Sequence, residues 1–117
     1  KKLYWVGSSR GDIQGFPENV KDDIGFALRK VQEGGKPASA KPWKGVSGAS
    51  VLEIVENYDT DTYRACYTVR FSEVVYVLHC FQKKSNKGIK TPKRDIDLIK
   101  RRLKAAEAHY IENYKKG

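Results

Sequence analysis

The pattern of apolar and polar positions divides the chain into a run of short elements. Leu3 to Val6 reads as a strand. Ser8 and Ser9 offer helix N-caps, with Asp12 at capping-box distance from Ser9, and this first short helix ends near Gly15. Pro17 fits the first position of a second helix. There Val20, Ile24, Ala27, Leu28 and Val31 recur at helical spacing, and Gly34-Gly35 stops the helix. Gly34 to Gly48 is rich in Gly, Pro, Lys and Ser and reads as a long loop. Three strands follow: Val51 to Tyr58, Thr62 to Phe71 beyond the turn-like cluster Asp59-Thr60-Asp61, and Val74 to Gln82.

The last of these strands is apolar on both faces, as an interior strand is. The middle one alternates. Tyr63, Ala65, Tyr67, Val69 and Phe71 share one face, while Arg64, Cys66, Thr68 and Arg70 share the other. The aromatic face is expected to pack on the helices and leave the arginine face open. A final helix starts with Thr91 as N-cap and Pro92 in the first turn, and Asp95 and Asp97 suit the positive end of its dipole. Its apolar stripe is Ile96, Ile99, Leu103, Ala106 and Tyr110. The order strand, helix, helix, three strands, helix predicts an α+β fold: a small, mostly antiparallel sheet packed against an N-terminal helical hairpin and a C-terminal helix.

Composition is that of a globular protein: 117 residues, enough for one domain, with 39% hydrophobic and 32% charged residues. No apolar run reaches transmembrane length, and no signal-peptide pattern opens the chain. Cys66 and Cys80 sit inside strand patterns without metal-ligand spacing, which predicts buried, reduced thiols and a cytoplasmic protein. No cofactor or metal is implied.

Charge changes this picture more than composition does. The formal net charge is +9, and Lys83 to Lys104 holds ten basic residues against Asp95 and Asp97. Such asymmetry points to a polyanionic partner, whether nucleic acid, an acidic protein or an anionic membrane, with RNA preferred; the alternative is a solvated helix face. Lys100, Arg101 and Lys104 on the last helix, with Lys87 and Lys90 before it, are candidate RNA contacts. In the long loop, Lys41 and Lys44 flank Trp43, either as a basic-aromatic contact or as a core plug with its lysines in water.

Signatures of nucleotide hydrolysis, nucleophile elbows and zinc sites are missing. What remains is a set of cations: Arg64 and Arg70 on one strand face, and Lys83-Lys84 at the end of the next strand. RNA carries its own nucleophile, the 2′-hydroxyl, so cations that hold it in line and stabilise the crowded phosphate suffice for cleavage. Arginine engages two phosphate oxygens at once, and a lysine among like charges has a lowered pKa and can move a proton. The same set also serves phosphate binding without catalysis. Since neither Arg64 nor Lys84 belongs to an apolar face, removing either is expected to leave the fold intact.

Four segments together resemble the RelE/ParE toxin superfamily, most of all its phage-derived, HigB-like branch. They are Val51-Leu52-Glu53-Ile54-Val55-Glu56, Thr62-Tyr63-Arg64-Ala65-Cys66-Tyr67-Thr68-Val69, Val75 to Ser85 with its His79-Cys80-Phe81-Gln82-Lys83-Lys84 end, and Lys90-Thr91-Pro92. The resemblance implies the toxin of a type II toxin–antitoxin pair, cutting mRNA on the ribosome without metal to leave a 2′,3′-cyclic phosphate and a 5′-hydroxyl. It places Arg64 on the phosphate-binding arginine, and Lys83 or Lys84 on the basic residue that serves the leaving group. It implies a helix-turn-helix antitoxin as partner, and no membrane. The strand Leu52-Glu53-Ile54 lacks the lysine that acts as base in RelE proteins. Glu53 and His79 are therefore candidate proton acceptors, with a Glu53–Arg64 ion pair and a packed strand histidine as the structural alternatives. Two further functions stay open: a ParE-type gyrase inhibitor without enzymatic activity, and a non-catalytic RNA-binding module.

Overall fold

The computed structural model describes residues 1–45, 51–84 and 91–115, with Lys84 by its backbone alone. Lys87 and Lys90 lie outside the described residues. The elements run β1 (Lys2–Trp5), α1 (Ser9–Gln14), α2 (Glu18–Gln32), β2 (Ala40–Pro42), β3 (Val51–Tyr58), β4 (Asp61–Thr68), β5 (Val74–Lys84) and α3 (Lys93–Tyr114). The strands form one sheet in the order β1-β5-β4-β3-β2. Only the β1–β5 pairing is parallel. The architecture is the α+β arrangement that the element order predicts.

Strand β5 needs cover on both faces, because Val74 to Leu78 are all out of water. One face carries Ala65, Tyr67, Val75 and Val77 and packs on α2 through Val20, Ile24, Leu28 and Val31. The other carries Cys66, Val74, Tyr76 and Leu78 and packs on α3 through Ile99, Leu103, Ala106 and Tyr110. The expectation of an open arginine face is thus overturned: α3 covers it, since Cys66 and Thr68 are fully buried there. Arg64, nearer the strand end, lies where this cover runs out.

Three local readings also change. The loop after Gly34-Gly35 contains β2, an edge strand of three residues, too short to show alternation and ending in a proline that an edge tolerates. Strand β4 stops at Thr68, so Phe71 crosses to the α3 side and Arg70 leaves the strand to pair with Glu107 at 3.5 Å. At the helix starts, Pro17 and Pro92 occupy the cap positions themselves, without a side-chain cap. Ser8 precedes α1 and bonds Asp12 at 2.9 Å, while Ser9 is buried and donates to the Val77 carbonyl at 3.2 Å.

A shift of register between Cys66 and Tyr67 matters for the site. Tyr67 pairs with Val77 and Cys66 with His79, so Leu78 is the extra residue of a bulge. A bulge places successive side chains on one side. Leu78 therefore packs under α3, and beyond the bulge His79, Phe81 and Lys83 stand opposite Cys66, Arg64 and Thr62, on the α3 side of the sheet.

Arg102, counted in the basic stretch, has a structural task. Its Nη1 donates to the Leu78 carbonyl at 3.0 Å, and Nη2 to Ser8 Oγ at 3.0 Å. It lies against Gly7, which adopts φ +58; a Cβ there would come within 2.8 Å of the guanidinium. So α3 is tied to the turn after β1. Lys100, Arg101 and Lys104, by contrast, are exposed. Replacing Arg102 by Ala leaves the bulge carbonyl without this donor and is expected to cost about 1–3 kcal/mol in urea denaturation. Replacing Lys100, Arg101 and Lys104 by Gln is expected to leave the denaturation midpoint within about 0.5 kcal/mol of its original stability.

Candidate active site

Above the sheet, beside the first turn of α3, lies a half-open cleft of about 460 Å³. Its floor is Lys41 on β2, Glu53 on β3, Arg64 on β4 and Lys83 on β5. The register explains the assembly. Lys41 faces Glu53, Glu53 faces Cys66, and Arg64 and Lys83 follow on the same side, two and four residues along. Pro42, Trp43, Lys44 and Gly45 form one wall, and Thr91 and Ile96 form the other. Among these residues four cations stand against one carboxylate.

That carboxylate is spent on Arg64. Arg64 Nη1 donates to Glu53 Oε1 at 2.5 Å, and both side chains are largely shielded. The ion pair offered as a structural alternative is therefore formed. It leaves the guanidinium half used: Nε is buried and has no hydrogen-bond partner among the described residues. A buried guanidinium with an unmatched N–H is a site for an acceptor such as a phosphate oxygen. The pair also corrects the expectation that Arg64 can be removed without cost. Alanine there would strand the buried Glu53 carboxylate, and breaking such a pair from one side is strongly destabilising.

Lys83 stands across the cleft from Glu53. Burial, and then the positive charges of Arg64 and Lys41, push its ammonium pKa below the ordinary lysine value, with Glu53 opposing them. The resemblance left Lys83 and Lys84 as equals. Lys83 lines the cleft, whereas Lys84 is described by its backbone, which pairs with Asp61 at the end of the ladder.

Trp43 is the core plug of the second reading. It is buried in the core beneath α3, and it also lines the cleft, with Gly45 so close to its ring that a Cβ would come within 2.3 Å. Lys41 on the floor and Lys44 in the wall are both exposed to solvent. His79 is not among the cleft-lining residues. It is buried, bonded through Nε2 to Asp95 at 2.8 Å and stacked on Phe81. The packed-histidine alternative is thus realised. Arg70 lies at the other end of α3 beside Tyr110 and Ile111, away from the cleft. Lys100, Arg101 and Lys104 extend from it along the exposed side of α3. The second histidine, His109, pairs with Tyr76 at 2.8 Å, also toward the C-terminal end of that helix.

Sequence reasoning missed Thr91 and Ile96 as cleft walls and Asp95 as the partner of His79. Their spacing signals only a helix start and an apolar stripe. Cys66 and Cys80 are free and buried as expected; burial pushes the Cys66 thiol well above its usual value and Cys80 to about 12. No group of three or more possible metal ligands occurs among the described residues. Nor, among them, is any helix long and apolar enough to cross a membrane.

The fold and cleft define a small α+β protein with a cleft lined by four cationic side chains and one carboxylate. The model of the phage-derived Gp49-like protein family (DUF891) matches residues 11–104, and the chain belongs to this family. The match spans α1 to α3 and so includes every lining residue of the cleft. No curated protein matches the chain.

The Lys83 shift has a consequence for stability. Between its lowered folded pKa and the ordinary lysine value, the unfolded chain binds more protons, so this residue makes stability rise with pH across that window. At neutral pH the charged ammonium is a net cost. Lys83→Met is expected to be more stable than the parent at neutral pH, with an advantage that shrinks as pH approaches the ordinary lysine value. Urea denaturation of both proteins across that range measures it.

Proposed function

We propose that the chain is the toxin of a type II toxin–antitoxin pair, of the HigB-like branch of the RelE/ParE superfamily, and a metal-independent endoribonuclease acting on ribosome-bound mRNA in the cytoplasm. The observation that carries this reading is the half-used Arg64 guanidinium. It is held by Glu53, it offers a buried N–H without a partner among the described residues, and it shares the cleft with a lysine of lowered pKa. A site for passive phosphate binding has no need of either feature, since exposed lysines suffice.

In this mechanism a backbone phosphate enters the cleft with its non-bridging oxygens on Arg64 and Lys83, while Lys41 and Lys44 engage neighbouring phosphates. The 2′-oxygen attacks the adjacent phosphorus and the bond to the 5′-oxygen breaks. The products are a 2′,3′-cyclic phosphate and a 5′-hydroxyl. The 2′-hydroxyl gives up a proton and the leaving oxygen takes one. Glu53 is committed to Arg64 and His79 to Asp95, so we assign the Lys83 ammonium to protonating the departing 5′-oxygen, while the proton of the 2′-hydroxyl passes to solvent water. Arg64 stabilises the charge that develops on the phosphorane-like transition state. The exposed Lys100, Arg101 and Lys104 of α3 position the protein on ribosomal phosphates. The partner is a helix-turn-helix antitoxin whose acidic or amphipathic segment covers this basic surface.

Arg64→Lys tests the reading without stranding Glu53, because lysine keeps the ion pair and gives up the fixed guanidinium fork with its separate Nε–H. It is expected to bind RNA and ribosomes as the parent does, and to cleave on the order of 10²–10³-fold more slowly in single turnovers at saturating protein. A parental rate at saturation would make Arg64 a binding residue and sink the mechanism. The triple replacement of Lys100, Arg101 and Lys104 is expected to act differently: cleavage at saturation stays normal, while ribosome affinity weakens and its salt dependence flattens.

A further inference from the structure

The N-terminal turn of α3 forms a wall of the cleft, yet among the described residues few side-chain contacts hold it. Its cap is Pro92, without a side-chain cap bond. Lys93 and Arg94 are exposed, Ile96 is only partly buried, and the first fully buried apolar residue of the helix is Ile99. Among the described residues, the side-chain hydrogen bond that joins this turn to the sheet is the one between Asp95 Oδ1 and His79 Nε2, at 2.8 Å. Both groups are shielded from solvent. The imidazole is braced from the other side by Phe81, with ring centroids 4.8 Å apart and planes at 16°. Phe81 is the strand partner of Arg64. Asp95, His79 and Phe81 therefore form a short strut between the helix turn that carries the cleft wall and the strand segment that carries the phosphate-binding arginine.

We propose that His79 and Asp95 are positioning residues, whose bond sets Thr91 and Ile96 against Trp43 and fixes the width of the cleft over Arg64 and Lys83. The catalytic part of this inference rests on the ribonuclease reading above; the geometric part does not. His79 Nδ1 is buried without a hydrogen-bond partner among the described residues, where the ring meets its surroundings through one nitrogen and its faces. That suits a strut, whereas proton transfer to RNA needs a nitrogen within reach of substrate. Loss of the strut leaves the core under Ile99 and Leu103 in place and moves only the wall. Misplacement of a wall by about 1 Å is enough to cost on the order of 10²-fold in rate.

The test uses the whole chain in a Trp5→Phe background, which leaves Trp43 as the single reporter of the cleft. His79→Ala and Asp95→Ala are compared with His79→Gln and Asp95→Asn, which can each keep a hydrogen bond between the two positions. The alanine variants are expected to cleave RNA on the order of 10²-fold more slowly at saturating protein. Their Trp43 fluorescence should become more accessible to acrylamide, with RNA affinity unchanged. The Gln and Asn variants should restore both rate and shielding, and the double alanine variant should be no slower than either single one. A purely structural role would lower the melting temperature and leave the rate at saturation untouched, which overturns the proposal. His79→Gln as inactive as His79→Ala would mean that the imidazole itself does chemistry, and also overturns it. If the parent protein cleaves no RNA, the ribonuclease reading fails and the quenching comparison decides alone. Increased quenching in the alanine variants, reversed by Gln and Asn, supports the strut; unchanged quenching refutes it.

Discussion

Strand β5 is apolar on both faces over Val74 to Leu78, and such a strand is stable only with a layer on each side. Most of the architecture follows from that demand. The α1–α2 hairpin covers one face and α3 the other, and Arg102 pins α3 to the turn after β1 by bonding the bulge carbonyl of Leu78. Strand and helix do not end together. α3 packs tightly from Ile99 onward, while β4 and β5 continue beyond it to Asp61 and Lys84. The sheet surface at that end forms the cleft floor. The bulge at Leu78 decides which side chains occupy it, because it brings His79, Phe81 and Lys83 onto the α3 side.

The cleft concentrates charge that the fold itself does not need. Lys41, Lys44, Arg64 and Lys83 converge on one cavity with Glu53 as the counter-ion. Burial first, and then the positive charges of Arg64 and Lys41, disfavour the charged ammonium of Lys83 and lower its pKa. Glu53 makes the arrangement tolerable by fixing Arg64 through one edge while leaving its Nε unmatched. A phosphate entering the cleft would supply the missing acceptor and relieve the repulsion together. Groups that cost stability until a ligand arrives are typical of functional sites.

The elements with a strong period were legible from the chain alone. Val20, Ile24, Leu28 and Val31 mark α2, the Ile99 to Tyr110 stripe marks α3, and the alternation through Tyr63, Ala65 and Tyr67 marks β4. Arg64 and the Lys83-Lys84 pair stood out as cations on neighbouring strands, without a choice between the two lysines. β2 did not, since Ala40 to Pro42 is shorter than any usable period. Arg70 looked equivalent to Arg64 by alternation, and the end of β4 at Thr68 removed it to the far end of α3. Arg102 looked like one more surface cation, and its task depends on a carbonyl 24 residues away.

The sequence by itself determined the α+β class, the order of the major elements, and the excess of positive charge between Lys83 and Lys104. These are local properties, set by the period and identity of neighbouring residues. Only the tertiary structure decided that Glu53 and Arg64 pair, that Lys83 faces the cleft and His79 is buried beside it, and that α3 covers the arginine face. Each of these depends on cross-strand register and on which layer packs where. A one-residue shift or a single bulge reverses the facing of a side chain without altering the pattern along the chain.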